Sequence, residues 1–406
     1  MNDKDLSVVR DVNDIYKRQN PSQHVKNLTK RNINKIFYNK KKFLLDILKL
    51  PEQIFNNSDL LDLGCGSGQK SITYSLMGSR CTLVDFDKQS CNNTIKLFNK
   101  FAKKKFKVIN KNIMKYKSKK KFDFVVSNGV VHHNNNPMKE IERASKFLKK
   151  GGFLILGIAE TNGYFQRNLQ RFILYSLSKN ENEIVANSKI LFKKHLDRAQ
   201  KASGRTLDQI IYDTYLNPKV HCLTFLEIKK IFRKSNLIHY SSDENDFTPQ
   251  VHSQFQTLGG KKNRDSDYSN NFMLNQILNF SGGKQTQIKF IKSKKKLKII
   301  ENVSNYQNFL SKKINNIKFK NFKNSFDQKM LKNLTIKISK INNLDLIDQN
   351  ENIRFINEVN QIFTILKSNN KNKIRFLKIK KHISNCRNLF TGTNGKGMNY
   401  FVGYKY

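Results

Sequence analysis

Apolar residues recur at two spacings along the first 240 positions, and the two spacings alternate. Short apolar runs of strand length lie at 60–63, 81–84, 106–109, 122–126 and 152–157. Between them, at 69–77, 88–103 and 137–148, apolar positions return at intervals of three and four, the signature of a helix with one buried face. Continuous apolar strands separated by helices predict a parallel, doubly wound sheet with both faces covered.

Two helical regions frame this alternation. Before it, residues 5–50 carry apolar stripes at helical spacing, one through Val8, Val9, Val12, Ile15 and Tyr16, another through Ile33, Ile36, Phe37, Phe43, Leu44, Ile47 and Leu48, with Pro51 marking the end. After the fifth run, helical patterns at 164–177 and 184–202 interrupt the order of elements. A helix at 224–235 then resumes it, with Thr224 and Glu227 at capping-box spacing. Residues 237–240 predict a sixth strand and 285–291 a seventh. The basic run 292–298 reads as a boundary, and two apolar arms around Asn394, Gly395, Lys396 and Gly397 suggest a terminal hairpin. The expected organisation is a helical cap over 1–50, a Rossmann-like seven-stranded α/β domain over 51–295 with a helical lid inserted at 161–220, and a basic C-terminal extension over 296–406.

Composition narrows the classes. The chain has 406 residues, of which 38% are hydrophobic and 26% charged, within the globular range. No apolar run approaches the roughly 18 residues that span a bilayer, and the N-terminus lacks a signal-peptide layout, so a soluble, cytoplasmic protein is the expectation. Cys65, Cys81, Cys91, Cys222 and Cys386 are far apart with no CxxC pair, which speaks against a disulfide framework or a metal site. The formal net charge of +45 admits two readings. Such a field attracts phosphates. Alternatively, the Lys, Asn and Ile abundance reflects an AT-rich coding sequence, a reading favoured by the excess of Lys over Arg, since nucleic-acid readers rely on Arg for bidentate contacts.

The chemistry concentrates at 61–69, Leu-Asp-Leu-Gly-Cys-Gly-Ser-Gly-Gln, after a strand and before a helix. Gly64, Gly66 and Gly68 let the backbone turn sharply and approach a ligand closely. The spacing is GxGxG rather than the GxGxxG of a dinucleotide site, and the Asp62 carboxylate just upstream suits a ligand with a cationic amine and sulfonium. Asp85 ends the second strand, where an acid accepts ribose hydroxyls.

This constellation resembles the class I S-adenosylmethionine-dependent methyltransferases over about residues 10–295. The resemblance implies that Asp62, Gly64, Gly66 and Gly68 line the methionine part of S-adenosylmethionine, that Asp85 holds the ribose and that Phe86 flanks the adenine. Asn112, Ile113 and Asn128 complete the implied cofactor set, Asn112 standing where the family often places Asp against the adenine amine. The segment 128–133, Asn-Gly-Val-Val-His-His, is similar to the "NGVLHH" of one bacterial subgroup of the type 11/12 kind. Residues 148–152 are similar to its "LKPGG", Asn162, Gly163, Tyr164 and Arg167 to its "GLYNKYGR", and Asp213, Tyr215, Pro218 and Thr224 to its "DQYxHP…HT", with Asn217 and Leu223 where histidines would stand. Tyr16 and Pro21 fall where its "FYxxxPFP" begins.

Methyl transfer is an in-line displacement, accelerated by alignment and by exclusion of water, and needs a base only when the nucleophile must lose a proton. His132 and His133 follow the fourth strand, near the expected methyl. In an extended segment they would point to opposite sides, so one faces the acceptor; His133 is the preferred base, with loop orientation the alternative for His132. Tyr16, Tyr164, Arg167, Asp213 and Tyr215 are the candidate acceptor-side residues, a core role being the alternative for Tyr215 and a solvated helix face for Arg167. The expected function is O- or N-methylation of a small-molecule, lipid-linked or sugar acceptor. The alternatives are methylation of RNA gripped by the basic extension, or a binding protein that kept the fold without the chemistry, which the intact glycine loop and Asp85 disfavour.

Overall fold

In the computed structural model the described residues are 28–243, 294–315, 349–391 and 397–406, with 18–19, 272–273, 333, 336–337 and 339–340. Five parallel strands form the sheet's main body: β1 (Asp59–Leu63), β2 (Arg80–Asp85), β3 (Phe106–Asn110), β4 (Phe122–Asn128) and β5 (Leu148–Ile158). With β6 (Leu237–Ser242) and β7 (Asn399–Lys405) the order is β3-β2-β1-β4-β5-β7-β6. The last strand, β7, runs antiparallel to both β5 and β6. This is the expected Rossmann-like seven-stranded α/β sheet.

The strands are apolar on both faces, and successive residues feed opposite cores. Leu61, Val84, Val125, Leu154 and Phe401 enter one cluster, whereas Leu60, Leu83, Phe124, Ile155 and Val402 enter the other. This two-residue alternation is dictated by the pleat. The second cluster is covered by α1 (Lys30–Lys42), through Ile33, by α2 (Ile72–Leu76) and by α3 (Lys88–Phe101), through Leu97 and Phe98. The first is covered by α4 (Pro137–Ser145), through Ile141 and Ala144, and by the inserted helices that follow β5.

The insertion comprises α5 (Phe165–Leu177), α6 (Glu181–Leu191), α7 (Lys193–Ser203), α8 (Leu207–Ile211) and a π-helical turn, Tyr212–Leu216. The pattern at 184–202 predicts one helix, but the chain breaks at Phe192, whose φ of −118° and ψ of 30° leave helical space. Its buried ring packs on Tyr215 and Phe390, and that contact sets the bend. The helix α9 (Phe225–Lys234) begins with the expected capping box between Thr224 and Glu227. Beyond the sixth strand come α10 (Lys294–Asn315), α11 (Gln349–Lys367) and α12 (Asn372–Asn385).

The C-terminal end departs from expectation. The seventh strand is 399–405, whereas the predicted 285–291 lies outside the described residues, as does most of the turn proposed for a terminal hairpin. Residues 387–391 form bends, not a strand, so the first arm of that hairpin is absent. The second arm finds better partners inside the sheet. Phe401 is fully buried against Phe225 and Phe272, and Tyr404 packs on Phe153 at 5.2 Å. The sheet therefore closes with the last residues of the chain rather than before the basic run at 292–298. The stripe around Tyr16 lies outside the described residues. Among the described residues no helix is long and apolar enough to cross a membrane.

Truncation of Phe401 to alanine should destabilise the protein by about 3–5 kcal/mol, because it empties a core position shared by two strands and a helix. Ile238→Ala on β6, 53% exposed, should change stability by about 0.5 kcal/mol or less. Paired thermal or urea unfolding of the two variants checks the contrast; equal losses would contradict the placement of β7.

Candidate functional site

A cavity of about 370 Å³ opens at the C-terminal ends of β1, β2 and β4, beneath the inserted helices. Ligands of open α/β sheets bind at this edge, where strands hand over to loops.

One half of the cavity is built by the glycine loop. Gly64, Gly66 and Gly68 adopt φ of 90°, 54° and 71°, the left-handed region that favours glycine. At Gly64 the need is doubled, since a Cβ would also overlap the Val130 side chain. The loop is held to β2 by backbone bonds from Gly64 N and Cys65 N to the Val84 carbonyl, at 2.8 and 3.2 Å. Asp85 accepts from Gly66 N at 2.8 Å and from Asp87 N at 3.0 Å. Burial pushes its carboxyl up to about 6, against the pull of these backbone N–H groups.

Asp62 is buried at 4% exposure. One carboxylate oxygen accepts from the Ser71 hydroxyl at 2.6 Å, and the other, Oδ1, has no hydrogen-bond partner among the described residues. Burial, helped by the neighbouring Asp85 charge, raises Asp62 to about 6, while Ser71, Lys40 and Lys70 oppose the rise. A buried, unfilled carboxylate oxygen is costly unless something cationic or hydrogen-bonding occupies the space before it. Phe86 lines the same half, its carbonyl fixed by the Asn110 amide at 2.9 Å. Ile113 and Asn112 also line the wall, and the Asn112 Oδ1 caps the following turn by accepting from Met114 N at 2.8 Å. Asn128, at the end of β4, accepts from the Tyr400 hydroxyl of β7 at 2.9 Å.

The other half lies under the insertion. Residues Val131–His133 form a single 3-10 turn rather than an extended segment, so both histidines face the cavity, with ring centroids 4.2 Å apart. This corrects the expectation that only one would. Their hydrogen bonds distinguish them. His133 Nδ1 lies 2.7 Å from the Lys219 carbonyl, an acceptor, so Nδ1 carries the proton and Nε2 is left with a free lone pair. His132 Nδ1 instead accepts from Ala159 N at 3.4 Å, which leaves the proton on Nε2. Burial lowers both rings; for His133 the nearby Asp213 charge partly offsets it.

Tyr164, Arg167 and Asp213 all line this half. Tyr215 does not: it is fully buried, its hydroxyl donates to Gln170 Oε1 at 3.1 Å, and its ring packs on Phe192, which makes it a core residue. Gly68 also lies outside the lining and shapes the turn instead. Tyr16 lies outside the described residues.

Several lining residues have no counterpart in the sequence reading. Arg205 closes a 2.8 Å ion pair with Asp213, and burial with the Arg205 charge lowers Lys70 to about 8. His195 on α7, Tyr74 on α2, and Gly397 and Met398 just before β7 complete the wall. His195 falls within the helical pattern at 184–202 and Arg205 just beyond it, with no feature to single them out, and nothing in a linear pattern brings 397–398 to residue 64. Among the described residues no group of three or more His, Cys, Asp or Glu could hold a metal, and all five cysteines are buried free thiols.

Comparison with known proteins fits this geometry over part of the chain. Residues 61–156, from β1 into β5, match the family model described as a methyltransferase domain. A ubiquinone biosynthesis O-methyltransferase from Pelagibacter ubique (strain HTCC1062) is 30% identical over 139 residues, 34% of this chain. The match spans 57% of that relative's length. Among solved structures, the magnesium protoporphyrin IX methyltransferase of Synechocystis PCC 6803 is 11% identical over 51% of this chain and 71% of its own, with a TM-score of 0.32. TehB of Haemophilus influenzae is 21% identical over 30% and 46%, with a TM-score of 0.26.

The hydrogen bonding fixes a spectroscopic expectation. At pH 6.5 the His133 ring should be neutral and protonated at Nδ1, titrating only below the ordinary histidine range near 6.5. Long-range proton–nitrogen NMR on labelled protein reads the tautomer directly. An imidazolium at that pH, or an Nε2–H form, would refute the assignment.

Proposed function

We propose that the protein is a methyltransferase that uses S-adenosylmethionine. The observation that carries this reading is the buried Asp62 Oδ1, without a partner among the described residues and one strand away from Asp85 at the glycine loop. S-adenosylmethionine supplies a methyl group on a positively charged sulfonium. Its amino-acid end also has an ammonium, which suits Asp62, and a carboxylate, which suits the adjacent Lys70. Asp85, with two oxygens already oriented by backbone N–H groups, keeps lone pairs for ribose hydroxyls. Phe86 and Ile113 offer apolar surface for the adenine, Asn112 can still donate through its Nδ2, and Asn128 is held in place by Tyr400. Gly64 and Gly66 allow the backbone to approach, and Gly68 completes the turn. The match of 61–156 to a methyltransferase domain supports the same reading.

For the acceptor we infer a small molecule, lipid-linked intermediate or sugar, methylated on oxygen or nitrogen. The reactive half of the cavity lies beneath α5, α7 and α8, a covered position that favours a compact acceptor over RNA. The unprotonated Nε2 of His133 acts as general base toward an acceptor hydroxyl or amine. The Asp213 carboxylate, whose charge favours protonated His133, stabilises the imidazolium that results. His132, with its proton on Nε2, serves as a donor and holds the turn. The segment 128–133 and the Tyr164 and Arg167 pair favour the subgroup with the NGVLHH-type motif.

Binding of S-adenosylmethionine should be measurable by calorimetry at or below millimolar concentration, and Asp85→Ala should weaken it by about tenfold or more. Affinity should rise as pH increases through about 6, because Asp62 and Asp85 are both raised to about 6 and only their ionised forms pair with the cation or accept strongly. Below that pH, binding should release protons, and Asp62→Asn should flatten the pH dependence. No binding at millimolar cofactor would sink the reading.

A further inference from the structure

The acceptor half of the cavity holds a cation that makes no ion pair among the described residues. Arg167, on the first turn of α5, is half-buried and lines the cavity, yet no ion pair or hydrogen bond to its guanidinium occurs among the described residues. The guanidinium lies over the Tyr164 ring, 5.6 Å from its centroid. The neighbouring arginines differ. Arg205 is paired with Asp213 at 2.8 Å, and Arg171 donates to the Tyr175 hydroxyl at 3.2 Å and the Asn217 carbonyl at 3.0 Å. Asp213, the acidic lining residue on this side, is thus already engaged. His195, beside Arg167, is neutral, since burial and the Arg167 and Arg198 charges lower it to about 3.

The position of Arg167 is also protected from the far end of the chain. A Cβ on Gly397 would overlap the Arg167 guanidinium, so only glycine leaves room for it there. A desolvated guanidinium is expensive unless paired, and its planar fork matches the two oxygens of a carboxylate or phosphate.

We propose that the methyl acceptor bears an anionic group, a carboxylate or a phosphate, and that Arg167 binds it from beneath the lid, on the Tyr164 ring. This places an anion in the same chamber as His133, so the group methylated is a second function of the same acceptor molecule. The inference rests on the methyltransferase reading for the site's purpose, though the anion site itself is independent of the donor.

Calorimetric titration of the full chain with benzoate, phenyl phosphate and the neutral analogue benzyl alcohol tests it, with and without S-adenosylhomocysteine. At least one anion should bind more tightly than benzyl alcohol. Arg167→Gln should weaken that anion by about 10- to 100-fold while leaving S-adenosylhomocysteine unchanged, and Arg167→Lys should recover part of the loss. Preference for benzoate assigns a carboxylate acceptor, and preference for phenyl phosphate a phosphorylated one. If Arg167→Gln fails to fold, Gly397→Ala, whose methyl displaces the guanidinium, should show the same selective loss. Anion affinity within twofold of wild type in either folded variant overturns the proposal, as does wild-type protein that binds neither anion better than benzyl alcohol. Failure of S-adenosylhomocysteine to bind would overturn the donor reading alone, since the titrations without it still decide the anion site.

Discussion

The sheet cannot be completed until the last residues of the chain are in place. β7 lies between β5 and β6 and exchanges backbone hydrogen bonds with both, so among the described strands β6 joins the main body through it. A sheet edge left at β5 would expose unpaired N–H and C=O groups beside two apolar faces. The strand and the residues just before it reach the site: Tyr400 fixes Asn128, and Met398 and Gly397 form part of the cavity wall. Closing the sheet and shaping the cavity wall are thus one structural event, although more than 150 residues separate β6 from β7 in the chain.

The cavity has opposite electrostatic ends. Around the glycine loop stand two buried carboxylates, Asp62 and Asp85; burial raises both, the Asp85 charge adds to the rise of Asp62, and backbone and hydroxyl bonding only partly offsets it. Beneath the inserted helices the excess among the described lining residues is positive, with Arg167 beside the Arg205–Asp213 ion pair. Low-dielectric walls strengthen both fields. A ligand set with a cationic donor at one end and an anionic acceptor at the other relieves both, and the two histidines of the 3-10 turn lie where the halves meet.

Much of the first half was legible in order along the chain. The alternation of strand and helix, the GxGxG turn and the acid at the end of β2 are local patterns, and local backbone geometry enforces them: φ above zero at three glycines, a capping box at Thr224 and Glu227, strands whose successive residues feed opposite cores. The histidine pair was visible too, but its geometry was not. An extended segment would have separated the rings, whereas the 3-10 turn rotates successive side chains by about a third of a circle and keeps both on one wall.

Sequence alone determined the α/β class, the order of the first six strands and the residues that surround Asp62 and Asp85, because these depend on neighbours within a few positions. Tertiary structure decided the rest. Tyr215, which sequence placed against the acceptor, turned inward because Gln170 satisfies its hydroxyl and Phe192 its ring. The seventh strand came from 399–405 because that segment alternates between two cores already formed by distant elements. Arg167 became a half-buried cation without an ion pair among the described residues because Asp213 was taken by Arg205, and because Gly397 arrived from the other end of the chain to leave it space. Partners chosen across hundreds of residues leave no periodic trace in the chain that chooses them.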